Sequence, residues 1–299
     1  MEKGNAVLRV DVLLAPAELT GEQVIGRQTV AIVVDVIRAT TTLAVMCDRG
    51  CARVLVAGDI SAARACAAEH ADEGFLLAGE VGGVRPPGFD FGNSPVELGA
   101  ANLTEKTLVF STTNGTRAIH ACAGAQAILA GSLRNADAVC RVAIERATAP
   151  ATPPLSGASQ DAPEGQPEAQ RSGRETASEM SVAADVRAPD VVIVCSGRSG
   201  RPSLDDTWCA GFLVERLEAL ASGSGMSVTL REGAQIARHV AAHAGSAVEV
   251  FARSDAGRSI SKVGLGHDLA LCAERNASQS VPLVVGTAPD GLLIVECAR

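Results

Sequence analysis

Ser111-Thr112-Thr113-Asn114-Gly115-Thr116-Arg117 packs four hydroxyls, an amide, a glycine and a guanidinium into one short stretch. It follows the apolar run Leu108–Phe110 and opens a helical pattern, so it reads as a strand-to-helix turn with backbone N–H groups free to meet an anion. Gly115 lets an oxyanion come close, and Arg117 has the fork geometry for a bidentate pair with phosphate or carboxylate. Capping of the helix by the hydroxyls is the plainer alternative. The glycine spacing and lysine of a Walker A loop are absent.

Carboxylates recur at other strand ends. Asp35 closes the apolar run Thr29–Val34, where a buried acid needs a cation or hydrogen-bond donors. A salt bridge to Arg38, or a cap for the next helix, would also account for it. Thr40 and Thr41 are placed to donate to an anion or to cap that helix. Asp205 and Asp206 head a helical pattern whose dipole favours one of them; their mutual repulsion calls for a nearby cation. Asp90 lies between Phe89 and Phe91 in a chain with only six Phe, which suggests a ring-anchored loop or an Asx turn with Ser94 as the following cap. Asp35, Asp90, Asp205 and Asp206 form a hard oxygen set suited to Mg²⁺. Glu80, after Phe75–Ala78, is a weaker signal that surface exposure explains equally well.

Cys195 and Arg201 have the C-x₅-R spacing of thiol phosphatases, yet no His precedes the Cys, the glycines fall elsewhere and Pro202 replaces the usual hydroxyl. A buried structural thiol is the better reading, and the same holds for Cys209. Nine Cys without C-x-x-C or zinc spacing, Cys47 and Cys51 among them, read as reduced thiols of a reducing compartment. His239 and His243 lack the rest of a zinc-protease motif and read as a surface pair.

These residues need a scaffold. Continuous apolar runs at Val7–Leu14, Thr29–Val34, Arg53–Ala57, Phe75–Ala78, Leu108–Phe110, Ala127–Ala130 and Val191–Cys195 alternate with helical patterns. That is the pattern of an α/β protein, a mostly parallel sheet core covered by helices. Val228–Ala242, Ala247–Arg253, Ser259–Leu265 and Asp268–Glu274 read as helices, and Leu283–Val285 with Leu292–Val295 as a closing hairpin. The expected organisation is an N-terminal lobe over 1–148, a disordered Ala/Pro/Ser-rich insertion over 149–189, and a C-terminal lobe over 190–299. A net charge of −8, no Tyr and one Trp argue against nucleic acid as a partner. The longest early apolar run is too short to span a bilayer and no signal-peptide pattern is visible, so a cytoplasmic protein without membrane association is expected. A homo-oligomer is left open.

In their order along the chain, VVDVIRATTT, GE at Gly79-Glu80, GFDFGNSP, STTNGTRAI, GSLRNADAV and SLDDTWCAG resemble the 2-phosphosulfolactate phosphatase family of coenzyme M biosynthesis. The stretch from Gly257-Arg258 through Gly264 to Asp268 and Cys272 is similar as well. The resemblance covers nearly the whole chain outside the insertion. It implies a family-specific α/β fold of two associated lobes and a Mg²⁺-dependent phosphoric monoester hydrolase. The reaction it implies converts 2-phospho-3-sulfolactate, a small anionic phosphorylated substrate, to 3-sulfolactate and phosphate by way of a Mg-activated water. The positions it implies are Asp35, Arg38, Asp205 and Asp206 for catalysis. Asn93, Ser94 and Ser111 through Arg117 would bind substrate, and Asp35, Glu80, Asp90, Asp205 and Asp206 would bind metal. Arg198 and Arg201 stand near the strand end at Ser196, where they would bear on how the sulfonate or carboxylate end is held. The competing expectations are a related 2-phospho-hydroxyacid phosphatase with a covalent intermediate at Asp35 or Cys195, and a non-catalytic binder of small phosphorylated acids. An aspartyl-phosphate at Asp35 would want a second Asp two residues on, where Ile37 stands.

Overall fold

A computed structural model describes residues 6–19, 25–26, 28–149 and 190–298. Its strands are β1 (Val7–Leu13), β2 (Val30–Val34), β3 (Arg53–Val56), β4 (Leu76–Gly79), β5 (Thr107–Ser111), β6 (Ala127–Gly131), β7 (Val191–Cys195), β8 (Ser227–Leu230), β9 (Val281–Thr287) and β10 (Leu293–Ala298). The helices are α1 (Ala39–Asp48), α2 (Ile60–Glu69), α3 (Pro95–Ala100), α4 (Gly115–Ala121), α5 (Ala136–Thr148), α6 (Leu204–Gly223), α7 (Glu232–His243), α8 (Ala247–Arg253), α9 (Asp255–Lys262) and α10 (Asp268–Cys272). All ten strands join one sheet in the order β4-β5-β3-β10-β9-β6-β2-β7-β1-β8. The α/β class with a mostly parallel sheet is as the sequence led us to expect.

β2 and β7 are buried along their whole length because both faces of the sheet are covered. Val30, Ile32 and Val34 enter one core with Val191 and Ile193, beneath α5 and α6. Ala31 and Val33 enter the other with Leu43, Met46 and Ile119. This two-residue alternation explains why such strands are apolar throughout rather than every second residue. With few aromatics available, Ala, Val and Leu fill both cores.

Two parallel blocks make up the sheet: β4-β5-β3 on one side and β6-β2-β7-β1-β8 on the other. Between them the pairings β3/β10, β10/β9 and β9/β6 are antiparallel. Three reversals leave the two blocks running in opposite senses. The residues that follow β2, β4 and β5 nonetheless line one cavity.

The chain does not divide at residue 149 as expected. β7 lies between β2 and β1, so strands from both halves of the sequence alternate in one block. The insertion over 149–189 falls outside the described residues, apart from Ala149. The Val228–Ala242 stretch is likewise not one helix: Ser227–Leu230 forms the edge strand β8, and α7 begins only at Glu232. A four-residue edge strand with one neighbour offers too little alternation to stand out from the helix behind it. Nor are all cysteines reduced thiols, because Cys47 on α1 is bonded to Cys297 on β10 with 5.6 Å between their Cα atoms. A pairing across 250 residues leaves no spacing signal. No helix among the described residues is long and apolar enough to cross a membrane.

Candidate active site

Asp35 follows β2 and is buried at the wall of a cavity of about 130 Å³. The same cavity is lined by Arg38, Glu80, Asn93, Thr113, Asn114, Asp205 and Asp206. They arrive from five loops or helix starts beyond strand ends, the usual position for a ligand in an open α/β sheet. Gly115 makes the meeting of the two blocks possible. A Cβ there would lie 2.5 Å from the Ala39 Cβ and 2.7 Å from Asp35 Oδ2. The glycine thus serves close approach to Asp35 itself rather than to an oxyanion.

Glu80 ties the β4 and β5 loops together, accepting from Thr113 N–H (2.7 Å) and Gly83 N–H (2.6 Å). Asp206 Oδ1 accepts from Val36 N–H (3.0 Å), and its Oδ2 accepts from the Ser196 hydroxyl and Gly197 N–H, each at 3.0 Å. Arg38 is not the partner of Asp35. Its guanidinium donates to Asp268 Oδ2 (2.8 Å) and the Gly83 carbonyl (3.1 Å), with both charged side chains out of solvent. Asp268 also accepts from Ser94 Oγ (2.6 Å). Sequence reasoning gave Asp268 no role of its own, since its contacts span 230 and 174 residues.

Several expected site residues lie elsewhere. Asp90 is exposed and accepts from Leu77 N–H (2.7 Å), so it pins its loop to β4 and stays away from the other carboxylates. Ser94 caps α3 by accepting from Glu97 N–H (3.1 Å) and is otherwise engaged with Asp268. Thr112 and Thr116 bond reciprocally through their hydroxyls and N–H groups at 3.2 Å, which is the capping alternative in practice. Ser111 is buried at the end of β5 without lining the cavity, and Arg117 is exposed outside it. Of the Ser111–Arg117 turn, Thr113 and Asn114 alone line the cavity. Cys195 points into the apolar core, where burial pushes its thiol well above the ordinary range. That environment disfavours a thiolate and fits the buried structural thiol.

The charge balance of the cavity is its most telling property. Burial first, then the charges of Asp206 and Glu80, raises Asp35 from 3.8 to about 7. Burial likewise raises Asp205 and Asp206 to about 7, with neighbouring carboxylates adding to it. Asp205 Oδ1 and Asn93 Oδ1 are buried with no hydrogen-bond partner among the described residues. Unsatisfied oxygens and an excess of buried negative charge are what a hard divalent cation would resolve. Among the described residues, the Cys, His, Asp or Glu trio whose ligand atoms fall within 4.8 Å of one another is Cys66, His70 and Asp290, not these acids. The site carboxylates are spread more widely, which suits an ion held by one or two of them with water and substrate oxygens completing its shell.

Buried acids of raised pKa facing an arginine and hydroxyl and amide donors, at the C-terminal edges of parallel strands, define an α/β protein with an enzyme-type anion site. The particular family follows from comparison. Residues 13–152 and 177–287 match the model of the 2-phosphosulpholactate phosphatase family, and the chain belongs to that family. A Thermus thermophilus protein described as a probable 2-phosphosulfolactate phosphatase is 34% identical over 287 residues, spanning 96% of this chain and 98% of its own length. Proteins of the same description from Deinococcus radiodurans and Symbiobacterium thermophilum are 32% and 31% identical, over 86% and 88% of this chain and 88% and 93% of theirs.

Proposed function

We propose that this chain is a phosphoric monoester hydrolase that converts 2-phospho-3-sulfolactate and water to 3-sulfolactate and phosphate, with Mg²⁺ as its cofactor. The observation that carries the reading is the cluster of Asp35, Asp205 and Asp206, buried together at raised pKa beside unpartnered oxygens. Asp35, Asp205 and Asn93 would hold the ion, and Asp206 is fixed beside them by its three donors. When bound, Mg²⁺ supplies charge neutralisation at the phosphoryl oxygens and lowers the pKa of water.

The remaining work belongs to the chain. Thr113 and Asn114 present a hydroxyl and an amide to the phosphoryl group, in a loop fixed by Glu80. Arg38, held rigid by Asp268 and Gly83, brings a preorganised positive charge to the oxygens that gain charge in the transition state. Water oxygen attacks phosphorus, the bond to the C2 oxygen of the substrate breaks, and that oxygen takes a proton. A cavity carboxylate accepts the proton released by the water and passes it to that leaving oxygen. We assign the enzyme to the cytoplasm and to the coenzyme M route that the family resemblance implies. The test is phosphate release from 2-phosphosulfolactate with Mg²⁺ and with EDTA. Release with Mg²⁺ that stops with EDTA is expected; no release under either condition would overturn the reading.

A further inference from the structure

Cys66 stands on α2 and His70 caps its C-terminal end, so a spacing of four residues puts both side chains on one helix face. Asp290 comes to them from the turn between β9 and β10. Cys66 Sγ, a His70 ring nitrogen and an Asp290 carboxylate oxygen all lie within 4.8 Å of one another. None of the three lines the acidic cavity. Their chemistry differs from that of the cavity acids as well. Thiolate, imidazole and carboxylate together suit a borderline-soft divalent ion such as Zn²⁺, whereas Mg²⁺ takes oxygen ligands.

The groups around the trio support a ligand set. His70 Nδ1 donates to Glu73 Oε1 at 2.7 Å, which leaves the lone pair of the neutral ring on Nε2, and the ring stacks on Phe75 at 4.8 Å. Ligating imidazoles are commonly held this way, one nitrogen oriented by a carboxylate while the other meets the metal. Cys66 is buried and its thiol is hydrogen-bonded to Asp290, with Glu69 and Glu73 adding negative charge nearby. Burial first, then Asp290, pushes that thiol up to about 11, so an incoming ion displaces a proton held by the pair. Tetrahedral Zn²⁺ places its ligand atoms about 3.3–3.8 Å apart, and the exposed turn that carries Asp290 can close the difference.

We propose that Cys66, His70 and Asp290 form a metal site of their own, for an ion of the Zn²⁺ class, which fastens α2 to the β9–β10 turn with water as the remaining ligand. The site is independent of the phosphatase reading. Its test is titration of the untagged full chain with Co²⁺ in excess Mg²⁺, followed by absorption. Co²⁺ takes zinc sites, and a sulfur ligand gives it a thiolate-to-cobalt charge-transfer band. A single equivalent should produce that band, and Zn²⁺ should remove it where further Mg²⁺ does not. Cys66→Ser should abolish the band. Glu73→Gln should weaken binding about 10- to 100-fold, and His70→Gln and Asp290→Asn, at positions more exposed than Cys66, should weaken it at least as much. His239 and His243, stacked at 4.1 Å on α7, can take Co²⁺ too but supply no sulfur. No band in the wild type, a band that survives Cys66→Ser, or undiminished affinity in both His70→Gln and Asp290→Asn would overturn the assignment. Thermal unfolding reads the same site without cobalt. Zn²⁺ should raise Tm more in the wild type than in His70→Gln, and an equal rise in the two would also overturn it.

Discussion

Asp205 has a buried oxygen that no donor among the described residues satisfies, and Asp35 and Asp206 share its excess of negative charge. The folded-state pKa of each acid is raised from 3.8 to about 7, so the native state holds more protons than the unfolded chain between those values. Stability of the metal-free protein should then be greatest near or below pH 4 as far as these groups are concerned, and should fall as pH rises towards 7. Added Mg²⁺ should raise Tm more at pH 8 than at pH 5, since it binds the ionised acids of the native state. Asp205→Asn should abolish that Mg²⁺ increment and turnover, while the metal-free Tm at pH 8 stays level or rises. A Mg²⁺ increment equal at both pH values would argue against a cation among these groups. Arg38 and Arg117 provide a second contrast. Removing Arg38 takes from the buried Asp268 its guanidinium partner and leaves it the Ser94 hydroxyl, at about 3–5 kcal/mol of stability, with turnover lost. Arg117→Ala, at an exposed position, should change stability by no more than about 0.5 kcal/mol and keep kcat/KM near wild type. Urea unfolding and steady-state kinetics on the two variants would show whether the geometry ranks these arginines correctly.

At the scale of elements, the seam between β2–α1 and β5–α4 depends on the missing side chain at Gly115. Gly115→Ala would thrust a methyl against Ala39 and the Asp35 carboxylate. Overpacking of this kind costs about 1–3 kcal/mol, and displacement of Asp35 should depress kcat further than the lost stability explains. A variant with unchanged kcat and Tm would show that the two loops have slack. Most of these elements could be read from the sequence because their signals are local. β2 and β7 are unbroken apolar runs, α8 has the expected bounds, and the closing hairpin pairs antiparallel. The failures were those where the deciding contact is remote or the signal short. Asp90 resembles a ligand until its bond to Leu77 is seen, and Asp268 resembles an ordinary helix-start acid until Arg38 reaches it. The acids at Asp35, Asp205 and Asp206 were legible because a carboxylate at the end of an apolar run or doubled at a helix start carries its electrostatic problem in the sequence itself.

For the molecule as a whole, sheet order matters more than chain order. The β4-β5-β3 block comes from the first half of the chain, but β1 pairs with β7 and β8 and β10 bridges to β3, so the larger block and the link between the two need both halves. Asp35 and Glu80 come from the first half, Asp205 and Asp206 from the second. A fragment of residues 1–149 should therefore show no cooperative thermal transition and no turnover, whereas the full chain without residues 153–176, which the family match skips, should keep both. Differential scanning calorimetry of the two would separate them; a cooperative transition in the short fragment would restore the division into lobes.

The position of β7 between β2 and β1 has a further consequence for how the protein is made. Among the described strands, β1 has no hydrogen-bonding neighbour until Val191–Val194 has been synthesised, because both of its partners come later. While about 180 residues are added, β1 waits with both edges open, and β2 can recruit only β6. Unpaired apolar edges held for that interval invite contact with other nascent chains. Slow translation of the middle of the message should lower the soluble yield, and holdase chaperones should matter most before the seventh strand appears.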